Sequence, residues 1–315
     1  MSPVFPPELE YEIFLLAFQN ERDNPVNLLL VAKRVQDWLI PQIYHTVVFR
    51  DRRRYPRNVT TSLMRRHGHH TRHLLLSFLT NPTKVISYCP NVENLAVWTG
   101  SWSHNFGLES ENTLTSLKLK RLSVHLGELE HLDMNAPIES DDHEEITEIV
   151  QKQGKANILQ FFSHITHLDI CTRIHRQREI WVLRHFTSLT HICVFDSLPP
   201  PVLRWVFDIC SELKVVVWLI DNLIVELQDK LVAVISDEKL RGTLELFGGL
   251  AHDEIDRVVF VRCNGYGEDW ENGARGREDV WVLAERAVEE AKENRKGISG
   301  LVTRFSELQI VEPAV

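Results

Sequence analysis

The segment His67-Gly68-His69-His70-Thr71-Arg72-His73 gathers four imidazoles within seven residues. On a helix, His69 and His73 would share a face, the i, i+4 spacing with which two imidazoles hold a zinc ion. Arg65, Arg66 and Arg72 set positive charge beside that position, and no Cys or carboxylate stands near it in sequence. A solvated basic turn is therefore the expectation, with no metal assigned. A second fragment, Gly265-Tyr266-Gly267-Glu268-Asp269-Trp270, carries a Gly-x-Gly. It lacks a third glycine and an immediate helix start, and Glu268, Asp269 and Glu271 would repel phosphate, so a flexible turn is expected there. The paired carboxylates Asp141-Asp142 fall in a run expected to be an exposed loop, where nothing raises a pKa for acid–base work. No Walker-type phosphate loop and no Gly-x-Ser-x-Gly turn occurs. These residues point away from an enzyme; no catalytic residue and no cofactor is assigned.

The elements that would carry a non-catalytic function begin at the N-terminus. Pro6 and Pro7 suit a first helical turn, and Glu8, Glu10 and Glu12 favour the positive end of its dipole. Leu9, Ile13, Leu16 and Ala17 then fall at i, i+4, i+7 and i+8, one apolar face, with Phe14, Leu15 and Phe18 off it. A second helix is expected from Asn24-Pro25 to a stop at Pro41, with Leu28-Leu29-Leu30-Val31 as a continuous apolar run. Two short helices cannot bury that much apolar surface within themselves. Either the next domain or an outside partner covers it.

Pro6 to Phe14, followed by Leu28 to Tyr44 and the apparent strand Thr46-Val47-Val48-Phe49, resembles the F-box-like proteins of mushroom-forming fungi. The resemblance implies docking on a Skp-type adaptor of a cullin–RING ubiquitin ligase. By that likeness Pro7, Leu9, Ile13, Leu30, Val31, Val35 and Trp38 would meet or frame the adaptor. The chain departs from the pattern at Ala32, where many F-boxes carry Cys or Ser, and at Val35, where many carry Trp.

Composition sets the class. The chain has 315 residues, 43% of them hydrophobic, enough for a sizeable core. Its longest apolar runs fall short of a membrane span, and the N-terminus lacks the basic segment and long apolar core of a signal peptide. Cys89, Cys171, Cys193, Cys210 and Cys263 are widely spaced and read as buried free thiols of a reducing compartment, cytoplasmic or nuclear. A net charge of −9 argues against general nucleic-acid binding. The arginine-rich stretch from Arg50 to His73 and the acidic stretch from Glu128 to Glu148 read as solvated faces.

A weak internal repeat decides the expected architecture. The pattern apolar-x-x-apolar-x-apolar recurs at Val92/Leu95/Val97, Leu114/Leu117/Leu119, Leu129/Leu132/Met134, Ile165/Leu168/Ile170, Leu189/Ile192/Val194 and Leu213/Val216/Trp218. His164-Ile165-Thr166-His167-Leu168-Asp169-Ile170 and Ser188-Leu189-Thr190-His191-Ile192-Cys193-Val194 nearly copy one another. Periods of roughly 20–29 residues are those of leucine-rich repeats. Such units cannot cover their own apolar faces, so they stack into a curved parallel sheet with helices outside. An ordinary α/β domain whose strands share a pattern is the alternative.

Past Asp221 the repeat fades. Leu223 to Leu240 reads as an amphipathic helix (or, over Leu231 to Ile235, a strand), and Arg257 to Val261 as a buried strand. Asn264 to Gly276 reads as a loop. Glu278 to Lys292 reads as a helix with Val280, Ala284, Ala287, Val288 and Ala291 inward, closing the last open face of the array. The expected organisation is an α/β chain: an F-box-like module over 1–49, a leucine-rich-repeat-like domain over 50–221, and a cap over 222–315. The expected function is a binding adaptor with an unidentified protein target. The aromatic stretch from Trp98 to Phe106, with Trp102 and His104, either anchors that target or plugs the core edge. A scaffold whose N-terminal helices only cap the repeats, with no ligase role, is the alternative.

Overall fold

The computed structural model describes residues 5–20, 25–50, 57–77, 82–98, 116–126, 161–171, 180–195, 200–221, 250–263 and 265–294. Its strands are β1 (Thr46–Phe49), β2 (His73–Ser77), β3 (Asn94–Trp98), β4 (Arg121–Val124), β5 (His167–Ile170), β6 (His191–Phe195), β7 (Val215–Asp221) and β8 (Val258–Cys263). The helices are α1 (Pro7–Asn20), α2 (Lys33–Ile43), α3 (Arg57–His67), α4 (Pro82–Ile86), α5 (Pro200–Ile209), α6 (His252–Ile255), α7 (Tyr266–Ala274) and α8 (Val280–Asn294).

All eight strands lie parallel in one sheet, in the order in which the chain makes them. Leu74, Leu95, Leu122, Leu168, Ile192, Val216 and Val258 stand side by side in register across it. The entries to β2 through β7 repeat one hydrogen-bond device. His45 O accepts from the N–H groups of Arg72 and His73, and Arg72 O from those of Glu93 and Asn94. Glu93 O, Lys120 O, Thr166 O and Thr190 O each accept two successive N–H groups in the same way. One carbonyl thus sets the start of the following strand, which is why successive strands begin level.

Side chains alternate across the pleat. The leucine row, with Leu76, Val97, Val124, Ile170 and Val194, packs against Met64 of α3, Val85 and Ile86 of α4, Phe161, Phe162, Leu183 and the Leu203–Val206 face of α5. Both faces of the sheet are covered, as parallel sheets require. The second expected pattern triple, Leu114/Leu117/Leu119, shifts register: Leu119/Leu122/Val124 is the copy that enters the sheet, and Leu117 is buried ahead of the strand. Leu117, Leu119 and Leu122 allow both phases, and strand pairing selects the one with Leu122 beside Leu95. Leu114, Leu129/Leu132/Met134, the run Glu139 to Glu145, and Leu223 to Leu240 lie outside the described residues.

Two expectations are corrected. The second helix does not run from Pro25 to Pro41: a 3-10 turn spans Pro25–Leu30 and α2 spans Lys33–Ile43 with Pro41 inside it. Leu39 is buried, and Tyr44 N–H bonds Ile40 O at 3.1 Å, so the last turn closes around the proline. The Gly-x-Gly segment is not a turn but α7, because Trp270 and Ala274 bury themselves against Leu75 and Ala96 of the sheet. The cap expected over 222–315 lies partly outside the described residues; α7 and α8 are its long described helices. They cross the second face of the sheet, α7 over β1 to β3 and α8 over β6 to β8, where Val280, Trp281, Ala284 and Val288 meet Cys193, Val215, Val217, Val259 and Val261. Ala287 packs beside them, whereas the side chain of Ala291 lies outside the described set.

Candidate functional site

The exposed large apolar side chains of the described residues lie, except for Trp181 and Val282, between Phe5 and Val31. Leu9 is 53%, Ile13 50%, Leu16 56%, Leu30 81% and Val31 59% exposed. The stripe that helical periodicity selects on α1 is therefore its outer face, and α1 buries no residue fully. Its inward contacts come from the off-stripe residues: Tyr11 meets Trp38 of α2 edge to face at 5.8 Å. Arg34 of α2 donates to both Glu10 carboxylate oxygens, from Nε at 3.0 Å and from a terminal nitrogen at 2.5 Å. Val35 and Leu39 of α2 are fully buried. Of the residues singled out by sequence, Pro7, Leu9, Ile13, Leu30 and Val31 are exposed; Trp38 is half-buried and Val35 is inside, so those two support the face and do not form it.

A second concentration of chemistry was not legible as a site. At the first position of successive strands, Thr46, His73, Asn94, Arg121, His167 and His191 form a row beneath α7 and α8. Arg121 Nε donates to Asp169 Oδ2 and another guanidinium nitrogen to Asp279 Oδ2, both at 3.0 Å, with all three groups buried. Burial opposes the Arg121 charge, but Asp169, Tyr266 and Asp279 more than offset it and hold it protonated. Burial lowers the pKa of His73 to about 4, of His167 to about 3 and of His191 to about 4. It raises Asp269 to about 6, against the stabilising Val280 N–H. The periodic strand pattern marked only the apolar positions; the alternate positions carry this row, and the twin Thr-His pairs were its one visible sign.

The histidine-rich segment does not form a shared helical face. His69 lies in the 3-10 turn Gly68–His70 and His73 in β2, where it meets His45 and its Nδ1 accepts a 2.7 Å hydrogen bond from Asn94 Nδ2. Glu268 and Asp269 lie in the first turn of α7, and Asp269 accepts from Val280 N–H at 3.0 Å. Trp98 plugs the sheet face: its Nε1–H donates to Ser123 Oγ at 3.0 Å and its ring lies against Tyr266. Trp102, His104, Phe106, Asp141 and Asp142 lie outside the described residues. Cys89, Cys171, Cys193 and Cys210 are free thiols, and burial drives the pKa of Cys89 and Cys210 up to about 12.

No family model matches the chain, and no curated protein matches it. Among the described residues no helix is long and apolar enough to cross a membrane.

Proposed function

We propose that the chain is a protein-binding adaptor that joins a Skp-type protein of a cullin–RING ubiquitin ligase to a target protein. The observation that carries this reading is the unburied stripe Leu9, Ile13, Leu16 on α1 together with Leu30 and Val31. A concentration of exposed apolar side chains of this kind marks an interaction surface. Its position in the sequence is that of the F-box-like motif. The sequential parallel sheet supports reading the remainder as a leucine-rich-repeat-like solenoid. The second face of that sheet is covered by α7 and α8, so target binding falls to other surfaces of the domain.

The test is co-purification and direct titration of a Skp-type adaptor with the full chain. Each large apolar side chain buried at an interface contributes about 2 kcal/mol, so Ile13→Asp with Leu30→Asp weakens binding by at least about a hundredfold. A folded wild-type chain that shows no binding at micromolar adaptor refutes the ligase role and leaves a scaffold without one.

A further inference from the structure

The near-identical segments around Thr166-His167 and Thr190-His191 place their histidines side by side. His167 and His191 are register partners at the starts of β5 and β6, and their rings stack with centroids 4.2 Å apart and 2° between planes. Each ring is held by the threonine before it. Thr166 Oγ1 donates to Lys120 O at 3.1 Å and lies 2.9 Å from His167 Nδ1. Thr190 Oγ1 donates to Thr166 O at 3.2 Å and lies 2.7 Å from His191 Nδ1. A hydroxyl has one proton. With it directed at a backbone carbonyl, the hydroxyl oxygen accepts from Nδ1–H, and the lone pair of each imidazole is left on Nε2.

Both lone pairs open toward α8. There Glu285, half-exposed, brings Oε1 to 3.0 Å from His191 Nε2. An unprotonated ring nitrogen and a carboxylate oxygen repel at that distance unless a proton or a metal ion lies between them. The ligand atoms of His167, His191 and Glu285 lie within 4.8 Å of one another, a set found among the described residues only here. We propose that His167 Nε2, His191 Nε2 and Glu285 Oε1 bind a divalent transition-metal ion of the zinc class, with water completing a tetrahedron.

Two imidazoles and one carboxylate suit zinc and its neighbours better than magnesium or calcium. The threonine hydroxyls supply the outer hydrogen bonds that fix the ring orientation of ligating histidines. Of the cations that act on the two rings, Arg121 is matched by two carboxylates, Asp169 and Asp279, and Lys214 bears on His191 alone. Tetrahedral coordination sets ligand atoms roughly 3.4 Å apart around the ion. The His191–Glu285 pair, at 3.0 Å, has only to open slightly to reach that spacing; the two parallel rings must tilt so that both lone pairs converge. Trp281, edge-on to both rings at 5.1 and 5.6 Å, lies where that tilt alters its surroundings. The ion would tie α8 to the middle of the sheet.

The full chain, stripped with a chelator, is titrated with Zn²⁺ against a chromophoric competitor, and with Co²⁺ to read coordination from its visible absorption. One equivalent is expected to bind, with a tetrahedral Co²⁺ spectrum and a change in Trp281 fluorescence that is absent in Trp281→Phe. His191→Gln and Glu285→Gln are each expected to weaken binding at least about tenfold, and Thr190→Val, which touches no ligand atom, by about tenfold. His69→Gln with His70→Gln is expected to leave binding unchanged. Glu285 is exposed enough that its substitution keeps the fold. Stoichiometric binding that survives Glu285→Gln and His191→Gln, or no binding of Zn²⁺ at 100-fold excess over about 1 µM protein, overturns the proposal. Neither result bears on adaptor docking, which involves α1 and the Leu28 to Val31 segment alone.

Discussion

Asp279 serves two structures with its two carboxylate oxygens. Oδ1 accepts the N–H groups of Trp281 and Val282 at 3.1 Å, capping α8, while Oδ2 meets Arg121 of β4 at 3.0 Å. The helix start and its seat on the sheet are therefore fixed by one side chain. A charged cap oxygen at a helix N-terminus stabilises by about 1 kcal/mol; the buried ion pair adds position more than energy.

Removing Arg121 leaves Asp169, fully buried, facing no cation. Arg121→Met is expected to destabilise the fold by about 3–5 kcal/mol, whereas Arg121→Met with Asp169→Leu recovers most of that loss. Urea denaturation of the two variants decides it. Similar losses in both would mean that the cost lies with Asp279, the other buried carboxylate that loses Arg121.

A methyl group at Gly273 would overlap the Asp279 carboxylate. Since that carboxylate is held by Arg121 and by the α8 amides, it has no free rotamer to retreat to. Gly273→Ala is expected to cost about 2 kcal/mol or more despite the gain in helix propensity. In contrast Gly276, with φ 69° and open space around it, tolerates Asn. Thermal melts of both variants test the contrast.

The N-terminal face divides into residues that hold it and residues that display it. Trp38→Ala removes the ring that packs on Tyr11 and is expected to cost about 2–3 kcal/mol. Ile13→Asp, on the exposed stripe, is expected to shift stability by no more than about 0.5 kcal/mol. If Ile13→Asp instead destabilises as much as Trp38→Ala, the stripe is core and the docking reading loses its surface.

Acid affects two buried groups in opposite senses. His73 has a folded pKa of about 4, below its unfolded value, so its contribution is present above about pH 6.5 and is lost as pH falls toward 4. Asp269 has a folded pKa of about 6, above its unfolded value, so its contribution is present below about pH 4 and is lost as pH rises through 6. Asp269→Asn, which keeps an acceptor for Val280 N–H, is therefore expected to stabilise by about 1–2 kcal/mol at pH 7 and by little at pH 4. Equal effects at the two pH values would contradict the assigned shift.

Much of the sheet could be read from sequence because its signal is local. Leu95, Leu168, Ile192 and Val216 sit at a fixed offset within each unit, and the structure sets them in one row. The phase at β4 failed because Leu117, Leu119 and Leu122 offer two equivalent alternations, and only pairing with β3 separates them. Helix α7 was missed because Gly265, Gly267 and Gly273 are poor helix formers; Trp270, packed against Leu75 and Ala96, overrides that preference from far away in sequence. The polar row was illegible for the same reason. His73, Arg121 and His191 fall into one row, and Asp279 meets Arg121, only through register and through the return of the chain across the sheet.

That return has a consequence for biosynthesis. Leu75 and Ala96 emerge from the ribosome early, yet Trp270 and Ala274, which cover them, follow roughly 180 residues later. At about 5–20 residues per second β2 and β3 wait roughly 10–40 s for those two side chains. A chain stalled on the ribosome between Trp98 and Tyr266 therefore carries Leu75 and Ala96 without the two side chains that pack on them in the finished fold.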